Sequence, residues 1–267
     1  MKFLQISDLH YRNQYPEAED GYPSIFRKMT PPMEQLKREL ERIDMNSIHF
    51  VAICGDLTED GEEEDYFVLK EQLDEIFGEI PYIVTLGNHD KKVAFYKAWY
   101  GEYNAEKRFG SVRRFDDITV IALDNSSEEQ GNGRIGKEEC DWLAIQFEEA
   151  AKQEGQTILM MHHPLIFDRK TPIPVVAYPE EFATLIRRYR PAAILCGHTH
   201  EHLAGSFEGV LHATCGSMSF YGCQMGKGMV LFRECASMNL WRIEKNCIST
   251  EKLSSVARPR DLGFVRM

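Results

Sequence analysis

The chain contains the stretch Phe50-Val51-Ala52-Ile53-Cys54-Gly55-Asp56, in which five apolar residues run directly into a glycine and a carboxylate. A short apolar run that ends at a turn residue is consistent with a buried strand of a parallel sheet. Five runs end in this way, in clusters of Asp, Asn and His: Phe3 to Ile6, Phe50 to Cys54, Tyr82 to Leu86, Thr157 to Met161 and Ala192 to Cys196. Ligands of open α/β sheets bind at the carboxyl ends of strands, so these clusters are expected to meet at one site.

The polar clusters have the composition of a metal site. They are Asp8-Leu9-His10, Gly55-Asp56, Gly87-Asn88-His89-Asp90, His162-His163 and Gly197-His198-Thr199-His200. A mixed set of carboxylate, amide and imidazole donors favours Mn, Fe, Co or Zn. A catalytic zinc ion typically uses three protein ligands. The seven candidate ligands in these clusters therefore exceed the need of one ion, and they suit two ions if one carboxylate bridges them.

The order Asp-x-His, Gly-Asp, Gly-Asn-His-Asp, His and Gly-His-x-His resembles that of the calcineurin-like metallophosphoesterases, and it covers about three quarters of the chain. The resemblance implies an α/β fold, a four-layer α/β/β/α sandwich with two mixed sheets flanked by helices. It implies two divalent or trivalent ions with Asp56 bridging them. One ion would be held by Asp8, His10, Asp56 and His200, and the other by Asp56, Asn88, His162 and His198.

The same resemblance implies a reaction and two catalytic residues. A hydroxide that bridges the ions is expected to attack phosphorus, while His89 contacts the phosphate or protonates the leaving oxygen and Asp90 orients His89. Two divalent ions carry four positive charges, and Asp8, Asp56 and the hydroxide remove three of them. The remaining positive charge favours an anionic, small-molecule phosphate ester as the substrate, although the whole chain has a net charge of −11.

The residues that follow the bridging carboxylate narrow the reaction. Protein Ser/Thr phosphatases of this superfamily place a phosphate-binding arginine where this chain has Asp60, and they end the later motif in Glu where it has Asp90. The string Gly-Asp-Leu-Thr-x-Asp-Gly instead resembles the class III cyclic-nucleotide and glycerophosphodiester phosphodiesterases. We therefore expect phosphodiester hydrolysis. A nucleotide phosphatase or nuclease on the same metal site, and a non-catalytic metal-binding scaffold, are the alternatives.

Bulk composition restricts the partners and the compartment. The net charge of −11 and the lack of a basic stripe argue against a nucleic-acid partner. Seven cysteines without a CxxC pair indicate a reducing compartment. Met1 to Ser7 is too short for a signal sequence, and no apolar stretch approaches the ~20 residues of a membrane span. We expect a cytoplasmic protein without membrane contact, and a homo-oligomer is left open.

Between the clusters, strands alternate with helices. Helical spacing is predicted after Pro31-Pro32, from Tyr66 to Phe77, around Trp142 to Ala150 and from Phe182 to Tyr189. Strands are expected at Val210 to Thr214, Met229 to Phe232 and Leu240 to Ile243, as a second layer. Residues 1–247 are predicted to form one metallophosphoesterase domain, and 248–267 a C-terminal tail that drapes over the surface or frays.

Two irregular segments and three single residues complete the predictions. Long loops in compact domains are usually functional or disordered, so 11–30 is expected to overhang the site or make a subunit contact, and 167–179 to form part of a lid. His163 is expected to pack beside the site, because neighbouring strand residues point to opposite faces. His202 is a weaker candidate for contact with the substrate, and Asp124 is expected to cap a turn.

Overall fold

The structure, a computed structural model, describes residues 1–102, 109–127, 131–166, 176–244, 247–254 and 259–267. Its helices are α1 (Pro23–Lys28), α2 (Pro32–Leu40), α3 (Glu63–Phe77), α4 (Lys92–Tyr100), α5 (Lys137–Ala151) and α6 (Glu180–Tyr189). Its strands are β1 (Lys2–Ile6), β2 (Phe50–Cys54), β3 (Tyr82–Thr85), β4 (Gly110–Phe115), β5 (Ile118–Leu123), β6 (Gln156–Met160), β7 (Ala193–Cys196), β8 (Ala204–Phe207), β9 (Val210–Thr214), β10 (Phe220–Gly226), β11 (Met229–Glu234), β12 (Met238–Glu244), β13 (Cys247–Leu253) and β14 (Asp261–Arg266).

Two large mixed sheets form the centre of the molecule. One has the strand order β13-β12-β1-β2-β3 and the other β4-β5-β6-β7-β9-β8, while β10-β11-β14 form a small third sheet. Strands β1, β2 and β3 are parallel to one another, and so are β5, β6, β7 and β9. Each large sheet therefore presents the carboxyl ends of its parallel strands along a single edge.

Side-chain alternation along the strands creates four layers. Phe3 and Phe50 point into the space between the sheets, where they pack with Trp241 and with Val120 of the other sheet. Their neighbour Leu4 points to the opposite face, toward α2, α3 and α4. The outer face of the six-stranded sheet packs against α5 and α6. This arrangement confirms the predicted α/β/β/α sandwich with two mixed sheets, and each buried face follows from the two-residue period of a strand.

The four predicted helices are confirmed as α2, α3, α5 and α6. Helix α3 ends as expected at Gly78, whose positive φ of 55° favours glycine. The short helix α1 and the helix α4 were not predicted. Two of the three later strands join the large sheets, since β9 lies beside β7 and β12 beside β1, whereas β11 belongs to the small third sheet. None of the helices in the described ranges is long and apolar enough to cross a bilayer.

The C-terminal residues 248–267, predicted to drape over the surface or fray, form two strands within the ranges that the structure describes. Strand β13 pairs with β12, and β14 pairs with β11, so both are hydrogen-bonded edge strands. An edge strand is exposed along much of its length, and β13 buries none of its side chains fully, which hides the periodic pattern. Leu262 and Val265 of β14 instead enter the apolar cluster beneath α1. The domain boundary at residue 247 stays a prediction.

Replacing Leu262 should distinguish a packed strand from a frayed tail. Leu262 is 2 % exposed, so we expect Leu262→Ala to lower the free energy of unfolding by about 2–5 kcal/mol, the range for buried leucines. Phe264 lies on the same strand but is 60 % exposed, so Phe264→Ala is the control and should cost about 0.5 kcal/mol or less. Urea unfolding measures both values, and equal small losses would show that β14 does not pack.

Candidate metal centre

The loops after five strands bring most of the predicted ligands together. Donor atoms of Asp8, His10, Asp56 and His200 all lie within 4.8 Å of one another. His162 Nε2 lies 3.3 Å from Asp56 Oδ2, so Asp56 stands between these residues and a second group formed by His162, His163 and His198.

The position of Asn88 at the site follows from the close approach of its neighbour Gly87 to Asp56. A Cβ added to Gly87 would meet Asp56 Oδ1 at 2.2 Å, which places this turn directly against the central carboxylate. The amide oxygen of Asn88 is buried without a hydrogen-bond partner. All seven residues predicted as ligands therefore lie in turns that converge from both sheets.

The backbone of the site is left-handed at most of these positions. Five of the seven have positive φ values, between 47° and 68°: Asp8, His10, Asp56, His198 and His200. Such values are uncommon for residues other than glycine and cluster at functional sites. The turns after β1 and β2 hold each other in this conformation, because the Asp8 amide donates to Gly55 O at 3.1 Å and the His10 amide to Asp56 O at 3.0 Å.

Hydrogen bonds define which ring nitrogen of three histidines faces the site. Nδ1 of His10 lies 2.6 Å from Glu59 Oε2, Nδ1 of His162 lies 2.7 Å from Cys54 O, and Nδ1 of His200 lies 2.5 Å from Phe220 O. Carbonyl and carboxylate oxygens only accept, so each Nδ1 must donate, and each neutral ring then has its lone pair on Nε2.

The lone pairs meet where a cation would stabilise them. His10 Nε2 and His200 Nε2 are only 3.1 Å apart, and two facing lone pairs repel each other. His162 Nε2 is buried and makes no hydrogen bond. Functional imidazoles that bind metal commonly donate their other nitrogen to a carbonyl or carboxylate, as these three do. The donor set and its orientation therefore fit a metal centre.

Charge pairing stabilises the ionised carboxylates against burial. Burial alone would raise the pKa of Asp56, but the neighbouring His162 and His89 hold it well below its usual range. The pKa of Asp8 is lowered in the same way, with His200 as the main partner that overcomes burial. Burial would lower the pKa of His162, yet Asp56 raises it to about 9, so in the metal-free protein Nε2 of His162 binds the proton that a metal ion would displace. Burial does lower the pKa of His198, to about 3, which keeps that ring neutral.

The two residues predicted to be catalytic have separate surroundings. The side chain of His89 is 31 % exposed, and its Nδ1 lies 3.0 Å from the main-chain oxygen of Glu59. Burial would lower its pKa, but Asp56 and Glu59 raise it.

That Asp90 orients the His89 ring stays a prediction, and no hydrogen bond that the structure describes joins the Asp90 carboxylate to that ring. The carboxylate instead accepts from the amides of Gly87, Leu57 and Thr58 at 2.8–3.2 Å and from the Tyr66 hydroxyl at 3.0 Å. Burial raises the pKa of Asp90 to about 6. Asp90 ties the Gly-Asn-His-Asp turn to the turn that carries Asp56, because neighbouring residues in a turn direct their side chains differently.

Sequence reasoning missed Glu59, which lies three residues after the central carboxylate. Its side chain is 5 % exposed and its Oε2 atom contacts Nδ1 of His10. Asp60, which stands where protein Ser/Thr phosphatases place a phosphate-binding arginine, forms an ion pair with Arg12. The sequence shows two adjacent acids after Thr58, and only the fold shows that Glu59 is the buried one.

The remaining predictions have mixed outcomes. His163 packs against the ring of His198, at 4.3 Å between centroids, so it lies beside the site as expected. His202 Nδ1 is 2.7 Å from Asn239 Oδ1, and contact with a substrate stays a prediction. Asp124 accepts from the amide and hydroxyl of Ser126, which confirms its turn role.

Of the two irregular segments, 11–30 reaches the site through Arg12 and packs against the small sheet through Tyr22 and Phe26. The structure describes only residues 176–179 of the segment 167–179. The lid therefore lies largely outside the described residues.

Comparisons with known proteins give the chain a family. A family model described as calcineurin-like phosphoesterase matches residues 1–202. A protein of Rhodopseudomonas palustris named probable cyclic nucleotide phosphodiesterase is 29% identical over 79% of this chain and 75% of its own. One of Arcobacter nitrofigilis named probable glycerophosphodiester phosphodiesterase is 26% identical over 56% of each chain.

Solved structures share the fold at low identity. A dimetal phosphatase from Danio rerio aligns with a TM-score of 0.60 and 12% identity over 95% of this chain and 98% of its own. Plasmodium GAP50, described as the anchor in the inner membrane complex, aligns with a TM-score of 0.57 and 15% identity over 98% and 88%. At this identity the likeness concerns the fold alone.

The close contact between Gly87 and Asp56 predicts that a side chain at position 87 weakens metal binding. A Cβ there would lie 2.2 Å from Asp56 Oδ1 and 2.4 Å from the Asp56 amide nitrogen, which cannot rotate away. We expect Gly87→Ala to weaken metal binding by about 10–100-fold, the range for changes next to ligands. Gly101→Ala is the control for a glycine away from the ligands, since no atom lies within 4 Å of the added carbon there and the strain of its positive φ of 69° falls on the end of α4. Metal titration measures both, and wild-type affinity in Gly87→Ala would contradict the geometry.

Proposed function

The chain belongs to the calcineurin-like phosphoesterase family, and on this premise we propose that it hydrolyses a phosphodiester, either a cyclic nucleotide or a glycerophosphodiester. Members of this family are hydrolases that use divalent metal ions. Relatives named for cyclic nucleotides and for glycerophosphodiesters both support a diester. The two names agree on a phosphodiester and differ in the alcohol groups that the phosphate joins. The proposal therefore names the phosphodiester class and keeps both kinds of substrate.

We propose that the seven converging donors hold two ions of Mn, Fe, Zn or Co. One ion would be held by Asp8, His10, Asp56 and His200, and the other by Asp56, Asn88, His162 and His198. The inward lone pairs of the imidazoles support this division, as does the position of Asp56 between the two groups. When bound, two such ions stabilise the attacking and leaving oxygens of a displacement at phosphorus.

His89 is the proposed proton donor to the leaving oxygen. Its Nδ1 donates to the main-chain oxygen of Glu59, so its Nε2 points away from that loop. Partial exposure of the ring leaves it accessible to a substrate. General acid catalysis by a positioned histidine typically contributes about 10²–10⁴-fold in rate. Asp90 is now proposed to keep the His89 turn in place through the backbone.

The observation that carries the diester proposal is the pairing of nearby cations. Arg12 follows the first ligand motif and pairs with Asp60. Lys91 and Lys92 follow Asp90, and they pair with Glu62 at 3.0 Å and with Asp124 at 2.9 Å. A monoester dianion needs cationic contacts beyond the metals, and these three charges are already balanced. A diester monoanion needs only the positive charge of the metal pair.

Three other functions are weaker on the same observations. A nuclease requires contacts to a phosphate backbone, and the net charge of −11 opposes that. A nucleotide phosphatase acts on a dianionic monoester and meets the paired cations just described. A scaffold would not require two imidazoles whose Nε2 atoms face each other and a third that faces Asp56, although the Plasmodium anchor shows that the fold itself does not imply catalysis.

Substrate preference tests the proposal. With Mn²⁺ present, kcat/KM for bis(p-nitrophenyl) phosphate should exceed that for p-nitrophenyl phosphate. Asp60→Asn should move the ratio toward the monoester because it frees the guanidinium of Arg12. Glu75→Gln is the control for the loss of one carboxylate. Glu75 lies on α3, is 74 % exposed and pairs with Lys37 of α2. A wild-type preference of tenfold or more for the monoester, ~1.4 kcal/mol in the transition state, would overturn the diester proposal.

Metal removal tests the two-ion assignment separately. Exhaustive chelation should abolish hydrolysis, and Mn²⁺, Co²⁺, Fe²⁺ or Zn²⁺ should restore it to different degrees. Asp56→Ala should reduce the bound metal most, because Asp56 is proposed to serve both ions. Elemental analysis of the purified protein measures this. Fewer than one ion per chain in a fully active wild-type sample would contradict a two-ion centre.

A further inference from the structure

A single residue contacts both a proposed metal ligand and the proposed acid. The Oε2 atom of Glu59 lies 2.6 Å from His10 Nδ1 and 3.5 Å from His89 Nδ1. The main-chain oxygen of Glu59 lies closer to His89, at 3.0 Å from the same nitrogen. The rings of His10 and His89 meet edge to face, with centroids 4.8 Å apart. Glu59 is therefore the common neighbour of two histidines with different proposed tasks.

We propose that Glu59 is a positioning residue that orients His10 with its side chain and His89 with its main chain. The inference rests on the proposed function, because it takes His10 as a metal ligand and His89 as the proton donor. The buried carboxylate does not contact a substrate in this scheme. It acts only through the two imidazoles.

The contact from the Glu59 side chain determines the tautomer of His10. A carboxylate accepts hydrogen bonds and does not donate them, so the proton of a neutral His10 must lie on Nδ1. The lone pair is then on Nε2, which points toward Asp56 at 3.7 Å and His200 at 3.1 Å. Without an acceptor at Nδ1, the proton could occupy Nε2 instead and would block a metal ion there. Glu59 therefore prepares His10 as a ligand.

The surroundings hold the carboxylate at this place. The amide of Glu59 donates to Tyr11 O at 3.1 Å, and Thr58 forms a parallel bridge with Tyr11. This short pairing joins the loop after β2 to the loop after β1, which carries His10. Arg12 Nη2 lies 4.0 Å from the other carboxylate oxygen, and its guanidinium packs 4.6 Å over the ring of Phe26. The nearby cation offsets part of the cost of burying the Glu59 charge.

The side-chain contact to His10 and the main-chain contact to His89 predict different consequences of one substitution at Glu59. Replacing the side chain removes the acceptor for His10 but keeps the main-chain oxygen that holds His89. Metal affinity should therefore fall, while proton delivery to the leaving group should continue once metal is saturating. If the carboxylate instead worked with His89 as a proton-transfer pair, the leaving-group dependence would change as well.

The experiment compares Glu59→Ala and Glu59→Gln with the wild-type chain, and Glu75→Gln is the control for the loss of one exposed carboxylate. In the metal-free protein, ¹⁵N NMR of the imidazoles reports which nitrogen of His10 carries the proton, with the resonance identified by its loss in His10→Ala. Titration with Mn²⁺ gives the affinity. Neither measurement requires a substrate, so both remain decisive if the chain hydrolyses no diester.

We expect Glu59→Ala to shift His10 away from the Nδ1–H form and to weaken Mn²⁺ binding by about 10–100-fold. Glu59→Gln should lose less, about threefold or more, because its amide oxygen can still accept a hydrogen bond, although a neutral acceptor is weaker. The control should match the wild type. This order of affinities would separate the carboxylate from a merely structural role.

A further measurement tests proton transfer. It follows the hydrolysis of aryl phosphodiesters of differing leaving-group acidity at saturating Mn²⁺. His89→Ala should slow poor leaving groups more than good ones, whereas Glu59→Gln should keep the wild-type dependence. Unchanged Mn²⁺ affinity with an unchanged His10 tautomer in the folded Glu59→Gln variant would overturn the proposal, even if Glu59→Ala does not fold. A leaving-group dependence in Glu59→Gln that matches His89→Ala would overturn it too.

Discussion

The lone pairs of buried imidazoles converge on two buried carboxylates, and this crowding is the constraint on which the site depends. His10 and His200 direct Nε2 atoms at each other from 3.1 Å, and His162 directs its own toward Asp56. Each arrangement costs free energy in an apolar surrounding unless positive charge is present. The remaining hydrogen bonds of these rings go to main-chain or carboxylate oxygens, so the rings cannot easily turn away. The family's use of divalent metal explains why such a centre is retained.

Two stacked sheets provide the rigidity that the centre requires. Beneath it, the buried Gln5 of β1 donates to Cys196 O of the other sheet at 2.8 Å. Its amide oxygen accepts from Asn239 and Trp241 at 3.0 and 2.8 Å. This network satisfies every polar group of the glutamine and links both sheets directly below the ligand loops. A fully satisfied buried network favours one arrangement of the layers over others, which fixes the spacing between the two sets of strand ends.

Charge around the centre is balanced more completely than the acidic composition suggests. The chain has a net charge of −11, yet Asp60 is paired with Arg12 and Asp124 with Lys92. The same pairing leaves those cations committed, so in the proposed function the metals would supply the charge that binds an anionic ester. The fold alone does not imply catalysis, because a phosphatase and an anchor protein share this fold. Substrate class therefore depends on side chains that surround the metals rather than on the sandwich itself.

The sequence by itself located the strand ends and the seven converging donors, because apolar runs and the polar residues after them are local patterns, and the layers followed from the family resemblance that these motifs carry. It also located α3 and its end at Gly78. Only the tertiary structure decided that β13 and β14 join sheets, since edge strands carry a weak pattern. Only it showed that Glu59, not Asp90, lies beside His89, and that Asp60 meets Arg12. These pairings join residues 30 to 49 positions apart in the chain, and local periodicity carries no information about which side chains meet across that separation.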